Sequence, residues 1–233
     1  MSVSEVHLWI ASVDQAPSDL TAFEHVLSDD ERARASNYRF QLHRDRFVAG
    51  RALRRLILAR YLGRPPETVA FTLGPQGKPS IDGEPADGLR FNDSGSDGLA
   101  VVALAWGRDV GVDVERVRQN ADADRIVDMF GAPLEREAYG RLPEADRPLA
   151  FHRWWTAKEA WLKAVGSGLL ASPDSFTVRL SAAEPVRLLE VRDQPGAVQR
   201  WTLESLELVP GFAASLVVEG QSVAIRRCHW TGR

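Results

Sequence analysis

Two carboxylates alternate along a short apolar segment near the middle of the chain. Asp113 and Glu115 are separated by Val114 and follow Gly111 and Val112. In a β-strand this alternation places both acids on one face and the valines on the other, so the acids need a positive neighbour. Oxygen ligands of this kind suit Mg²⁺, which binds one or two carboxylates together with substrate phosphates and water. Taken alone, the pattern also fits a strand with a solvated acidic face.

A second group of charged residues follows in a segment of helical periodicity, about 149–165. Glu159 and Lys163 are one turn apart at the edge of a broad apolar arc, whereas Lys158 falls inside that arc among tryptophans. A lysine in such a position must reach solvent or meet a negative group. Glu159 and Lys163 can equally form a surface pair, and residues 166–168 end the helix. Together the two segments supply what is needed to hold a metal ion against a phosphate.

Composition excludes several classes of function. The chain of 233 residues has a formal net charge of −3, which gives no electrostatic reason to expect a nucleic acid or a membrane as partner. No apolar run approaches the roughly 18–20 residues that span a bilayer, and the N-terminus does not resemble a signal peptide. A single cysteine, Cys228, cannot form an internal disulfide. We therefore expect a cytoplasmic protein.

The positions of helices and strands predict an α+β fold. A helical stretch covers 43–62 and a second one 149–165, with a broken helical region at 123–142 between them. Short strands with turn residues between them follow each long helix, at 69–73, 79–81, 89–92, 99–106 and 110–117, and again at 176–180, 186–191, 201–209, 212–219 and 223–227. This order predicts two similar halves, 1–106 and 107–233, each a mainly antiparallel sheet packed by helices. A pseudo-two-fold relation would place the site in the cleft between them.

Three further motifs lie upstream of these two, and the order of all five along the chain is specific. Residues 111–115 and 155–168 satisfy the patterns G-x-D-x-E and W-x-x-K-E-A-x-x-K-x-x-G-x-G in full. Upstream are a basic helix segment at 46–51, the turn Gly77-Lys78-Pro79, and the strand 91–96, whose sequence is F-N-D-S-G-S. From about residue 28 to 180 the chain resembles the 4'-phosphopantetheinyl transferase superfamily, and within it the Sfp-type branch that activates carrier proteins of peptide and polyketide synthases.

That resemblance implies an enzyme that moves the phosphopantetheine arm of coenzyme A onto a serine of an apo acyl, peptidyl or aryl carrier protein and releases 3',5'-ADP. It implies a monomer that uses Mg²⁺, with Mn²⁺ as an alternative. The roles it implies are the following: Asp113, Glu115 and Glu159 as metal ligands; Lys163 and Lys158 on the pyrophosphate; Arg46, Lys78, Pro79 and Ser94 at the nucleotide end; and Glu159, Lys163 and Glu135 as catalytic residues, with Glu159, Glu135 or metal-bound water taking the serine proton.

Two positions depart from the family pattern. Gly95 stands where many members carry a histidine that resembles a phosphate contact, which predicts weaker binding of coenzyme A or a substitute among Arg34, Arg51 and Arg90. Glu135 follows Phe130 with one residue more than the family spacing. Two other functions could use the same residues. One is non-catalytic binding of coenzyme A or of a carrier protein, and the other is Mg²⁺-dependent phosphate hydrolysis that needs no acceptor.

Overall fold

The computed structural model describes residues 1–2, 4–15, 20–166, 172–181 and 183–231. The helices are α1 (Thr21–His25), α2 (Asp29–Ser36), α3 (Gln41–Leu62), α4 (Ala123–Phe130), α5 (Pro133–Gly140), α6 (Arg147–Val165) and α7 (Ala197–Arg200). The strands are β1 (Glu5–Ser12), β2 (Phe71–Leu73), β3 (Pro79–Ile81), β4 (Leu89–Ser96), β5 (Leu99–Trp106), β6 (Val110–Arg116), β7 (Phe176–Val178), β8 (Leu188–Val191), β9 (Trp201–Leu206), β10 (Phe212–Glu219) and β11 (Ala224–His229). The predicted α+β class is confirmed, while residues 167 and 168 of the second motif lie outside the described residues.

Local sequence signals fix the ends of the helices that carry the site. Ser28 caps α2: its hydroxyl accepts from the amide of Glu31, whose carboxylate accepts in return from the Ser28 amide. The long helices α3 and α6 both end at a glycine in the left-handed region, Gly63 with φ 64° and Gly166 with φ 66°. Because other residues rarely adopt this conformation, these glycines stop both helices sharply.

The same order of elements and the same strand pairing occur twice. In the first half, β1 pairs with β5 and β5 with β4, all antiparallel, and the order runs β1, α3, β2–β3 hairpin, β4, β5. In the second half, β6 pairs with β10 and β10 with β9, and the order runs β6, α6, β7–β8 hairpin, β9, β10. The repeat of this order therefore begins again between β5 and β6.

The last strand departs from the expected division of the chain. β11 belongs to the second half by sequence, yet it runs parallel to β1 at the edge of the first sheet, in the order β11-β1-β5-β4. The second sheet has the order β6-β10-β9. Valines 110, 112 and 114 of β6 are buried in one apolar cluster with residues of β1, β5 and β10. The two sheets thus share a core, which fixes the position of β6 relative to the first half.

No described helix is both long and apolar enough to cross a membrane. The apolar face of α6 packs instead on its own half of the protein, where Trp154, Ala157, Trp161 and Ala164 are buried. Its opposite edge, which carries Glu159 and Lys163, remains half-buried. The helix therefore presents its chemical residues at the border of the core.

Candidate active site

β6 and α6 approach each other closely at the glycine of the first motif. A methyl group on Gly111 would lie 2.1 Å from the carbonyl oxygen of Ala160 and 2.4 Å from the amide nitrogen of Ala164. Only glycine fits, because side-chain contacts are not normally this short. A glycine in a strand leaves room for a ligand or for another backbone to approach. The structure shows that it admits α6, which brings the motif acids on β6 next to Glu159 and Lys163.

The acids Asp113, Glu115 and Glu159 meet where β6 contacts α6, and we call this place the acidic corner. Asp113 is at its centre and is buried. Its Oδ1 accepts from the ammonium group of Lys163 at 2.7 Å and from the hydroxyl of Ser94 at 2.8 Å. Lys163 also donates to Ser94 at 3.2 Å. The second oxygen of Asp113, Oδ2, is buried and has no hydrogen-bond partner among the described residues. A buried carboxylate oxygen without a partner is costly, so this oxygen is available for a cation.

Glu115 and Glu159 are half-buried beside Asp113. Burial raises the pKa of Glu115, and the negative charge of Asp113 raises it further, while a hydrogen bond from Ser96 at 2.8 Å opposes the shift. Burial also raises the pKa of Glu159, with smaller raising contributions from Asp113 and Glu115, and Lys163 opposes them. Both glutamates therefore respond to the charge of Asp113, and Glu159 also to that of Glu115, as expected of carboxylates that converge without enough positive charge.

The ligand type of these acids suits a hard divalent cation, although the side chains are not already arranged around a metal position. No group of three acidic, histidine or cysteine side chains in the described part of the chain is arranged to hold a metal ion by itself. The donor set of Asp113, Glu115 and Glu159 contains only oxygen, as Mg²⁺ or Mn²⁺ prefers. Added positive charge would give the unpartnered Oδ2 of Asp113 a partner. It would also lower the raised pKa values of the two glutamates.

A cleft of about 740 Å³ extends from this corner across the N-terminal half. Glu159 and Lys163 line one part of it, and Lys78, Pro79 and the backbone around Gly77 line another. The ammonium group of Lys78 donates to the carbonyl oxygen of Ala164 at 2.7 Å, and burial lowers its pKa. Lys78 therefore ties the β2–β3 hairpin to the end of α6.

Two arginines that line the cleft lie close to one aromatic ring. The guanidinium groups of Arg34 and Arg51 lie 5.4 and 5.2 Å from the centre of the Phe47 ring, and all three residues line the cleft. Neither arginine forms an ion pair with a carboxylate of the described chain. Burial, followed by the charge of Arg54, lowers the pKa of Arg51. The charges of Asp93 and Glu31 oppose this shift, and an anion beside these arginines would add further counter-charge.

Arg46, expected at the nucleotide end, and Gly95, which replaces the family histidine, line a neighbouring cavity of about 330 Å³. Arg46 makes two hydrogen bonds to the carboxylate of Asp14, at 2.7 and 2.8 Å. Arg90, a proposed substitute for the missing histidine, donates to the carbonyl oxygen of Ala86 and does not line the cleft. Ser94 lines the same cavity and donates to Asp113.

The structure does not bring Lys158 and Glu135 to the cleft. The ammonium group of Lys158 is 2.8 Å from Glu135 and donates to the carbonyl oxygens of Pro173 and Phe176. Both side chains are almost fully buried, with 1% and 0% exposure, and Glu135 also accepts from the amides of Ala132 and Val178. All three donors of Lys158 are occupied, so the expected contacts with pyrophosphate and with the serine proton are not available to this pair.

Sequence reasoning missed one set of residues at the site, the polar side chains of β4. Asn92 and Ser96 accompany Ser94 and bond to β6. Their alternation, N-x-S-x-S, was a usable signal because side chains two apart share one face of a strand.

Comparisons with known proteins point to one family. Residues 109–217, which include every predicted metal ligand, match the family model of the 4'-phosphopantetheinyl transferase superfamily. The chain is 40% identical over 219 residues to the 4'-phosphopantetheinyl transferase HetI of Nostoc sp., covering 93% of this chain and 88% of the relative. It is 24% identical over 190 residues to the 4'-phosphopantetheinyl transferase Sfp of Bacillus subtilis, covering 82% and 81%.

The chain belongs to the 4'-phosphopantetheinyl transferase superfamily, and the resemblance predicted from its motifs is confirmed. Among solved structures, an ACPS–CoA complex from Chronobacterium ammoniagenes aligns with a TM-score of 0.37 and 19% identity, over 48% of this chain and 96% of that one. A similarity this low adds nothing on fold or function, so the assignment depends on the sequence relatives.

Proposed function

We propose that this chain transfers the 4'-phosphopantetheine arm of coenzyme A to a serine of an apo carrier protein and releases 3',5'-ADP. The observation that carries the proposal is the continuity between the acidic corner and the basic cleft. Glu159 and Lys163 belong to both, and Arg34, Arg51 and Lys78 are among the other residues that line the cleft. Such an arrangement suits a ligand with a phosphate at one end and a pyrophosphate at the other.

Phosphoryl transfer needs positioning and charge neutralisation more than covalent help from the protein. In this proposal Asp113, Glu115 and Glu159 hold Mg²⁺, or Mn²⁺ in its place. A bound ion would supply Lewis-acid charge that neutralises the phosphate groups during transfer. Lys163 donates to Asp113 at 2.7 Å and, over longer distances, to Ser94 at 3.2 Å and to the carbonyl oxygen of Val112 at 3.4 Å. Because its side chain is partly exposed, unlike that of Lys158, it can exchange the two longer bonds for the phosphate that departs with 3',5'-ADP.

The acceptor serine must lose its proton during transfer. Of the two carboxylates considered for this role, Glu159 lines the cleft and Glu135 is buried against Lys158. We therefore propose Glu159 as proton acceptor among protein groups and leave Glu135 and Lys158 out of the chemistry.

Incubation with coenzyme A, Mg²⁺ and several apo carrier proteins tests the proposal by intact-protein mass spectrometry. We expect a gain equal to one phosphopantetheine arm and an equal amount of 3',5'-ADP, both dependent on the carrier. A phosphohydrolase would release product without the carrier, and a binding protein would release none. A carrier whose acceptor serine is replaced by alanine is the matched control.

A further inference from the structure

The two sheets meet along two edge strands that are joined by side chains. β4 is the last strand of the first sheet and β6 is the first strand of the second. The free edge of a strand presents amide and carbonyl groups that need partners. Here the amide of Val112 donates to the side-chain oxygen of Asn92 at 2.8 Å, that of Val114 to Ser94 at 3.4 Å, and that of Arg116 to Ser96 at 3.1 Å.

Two of these side chains also bond to the acids of the site. Ser94 donates to Asp113 and Ser96 donates to Glu115, each at 2.8 Å. A hydroxyl has one proton to donate. When its oxygen accepts from a backbone amide of β6, the position of the hydroxyl is set, and the proton points to the carboxylate. Each serine therefore links the edge of one sheet to an acid on the other.

Glu115 depends on this link more than Asp113 does. Asp113 is held by Lys163 as well as by Ser94. The bond from Ser96 is the only hydrogen bond of the Glu115 carboxylate within the described part of the chain. Without it, nothing but packing would fix the rotamer of this half-buried side chain.

We propose that Ser96 is the positioning residue of Glu115, and that Asn92, Ser94 and Ser96 together act as a side-chain seam that aligns β6 with β4. The seam sets the orientation in which the strand acids meet the cation, so this inference rests on the proposed function. Groups that orient metal ligands change metal affinity about 10–100-fold when removed. The seam itself is a statement about hydrogen bonds and can be tested without metal.

Amide hydrogen exchange followed by NMR tests the seam. Ser96→Ala removes the acceptor of the Arg116 amide, and we expect that amide to exchange about fivefold faster, as loss of one net hydrogen bond implies. The matched control is Ser36→Ala, whose hydroxyl donates only to Ala33 in its own helix. Unchanged exchange at Arg116 would overturn the seam whatever the protein does with metal.

Mn²⁺ binding in the presence of coenzyme A, measured by electron paramagnetic resonance of the free ion, tests the positioning role. We expect Ser96→Ala to raise the Kd for Mn²⁺ about tenfold, and to raise the KM for Mg²⁺ more than it lowers kcat. Ser96→Thr, which keeps the hydroxyl, should restore both. Wild-type affinity in Ser96→Ala would overturn the positioning role. Absence of Mn²⁺ binding by the wild type would instead contradict the proposed metal site, while the exchange experiment would still decide the seam.

Discussion

Gly111 of β6 and Ala160 of α6 are packed backbone against backbone, with no room for a methyl group between them. This contact brings the strand that carries Asp113 and Glu115 against the helix that carries Glu159 and Lys163. The distance between the two motifs in the folded protein therefore depends on a residue that has no side chain.

Gly111→Ala should lower both stability and metal affinity. The added methyl group would lie 2.1 Å from the Ala160 carbonyl oxygen, so the strand and the helix must separate. Overpacking of this kind costs about 1–3 kcal/mol. Urea unfolding measures the loss, and the KM for Mg²⁺ reports the displaced acids. Gly140→Ala is the matched control, because a methyl group there meets nothing within 4 Å. Equal behaviour of the two variants would contradict the role of this contact.

The buried pair of Lys158 and Glu135 should matter for folding rather than for chemistry. Replacing one partner leaves the other charged and buried, which costs about 3–5 kcal/mol. We expect Lys158→Met and Glu135→Gln to unfold at much lower urea concentration, while the folded fraction keeps near-normal kcat. The exposed pair of Arg141 and Glu137 is the control, since Arg141→Met should change the free energy of unfolding by less than about 1 kcal/mol. A large loss of kcat in stable, folded Glu135→Gln would restore its expected catalytic role.

Glu159→Gln should stabilise the metal-free protein near neutral pH. Burial raises the folded-state pKa of Glu159 above its usual value of 4.5. In the folded state the group holds its proton to higher pH, so its contribution to the free energy of unfolding falls as pH rises from about 4.5 through the raised pKa. The neutral glutamine removes that penalty, and each 1 kcal/mol gained raises Tm by about 2–4 °C in a protein of this size.

The same variant separates stability from function. Addition of Mg²⁺ and coenzyme A should raise the Tm of the wild type and have little effect on Glu159→Gln, whose transfer activity should be lost. Thermal unfolding across pH 4–8, with and without ligands, measures both effects. A variant less stable than the wild type at every pH would show that the charge of Glu159 is already compensated in the folded protein.

Arg51 should recognise the phosphate that distinguishes coenzyme A from dephospho-coenzyme A. It lines the cleft without an ion pair in the described chain, and burial lowers its pKa. We expect Arg51→Gln to raise the KM for coenzyme A about tenfold and to leave that for dephospho-coenzyme A nearly unchanged, because a charged hydrogen bond contributes about 1.5–3 kcal/mol. Arg90→Gln, which lies outside the cleft, is the control. Equal effects on both substrates would place the 3'-phosphate elsewhere.

The sequence predicted those parts of the molecule that depend on local pattern. Helix α3 was expected over 43–62 and observed at Gln41–Leu62, because its apolar period and its terminal glycine are both local signals. The acids of β6 and the edge residues of α6 were predicted by alternation and helical period, together with the family motifs.

Long-range partners were not predictable in the same way. The position of Lys158 inside an apolar arc showed that it needed a negative partner but not whether that partner was a phosphate or Glu135. Nothing local indicated that Arg46 would pair with Asp14, or that β11 would join β1. Each of these contacts connects residues far apart in the chain, where periodicity carries no information.

The most direct test of the central claim compares transfer by the wild type with transfer by Asp113→Asn, using coenzyme A, Mg²⁺ and an apo carrier that the wild type modifies. Asparagine keeps the size of the side chain but removes the charge that faces Lys163 and the cation. Asp128→Asn, on the exposed face of α4, is the matched control. We predict that the carrier gains one phosphopantetheine arm with the wild type and the control, and that Asp113→Asn is slower by about a hundredfold or more. No gain on any carrier with the wild type, or a wild-type rate in a folded Asp113→Asn protein, would contradict this account.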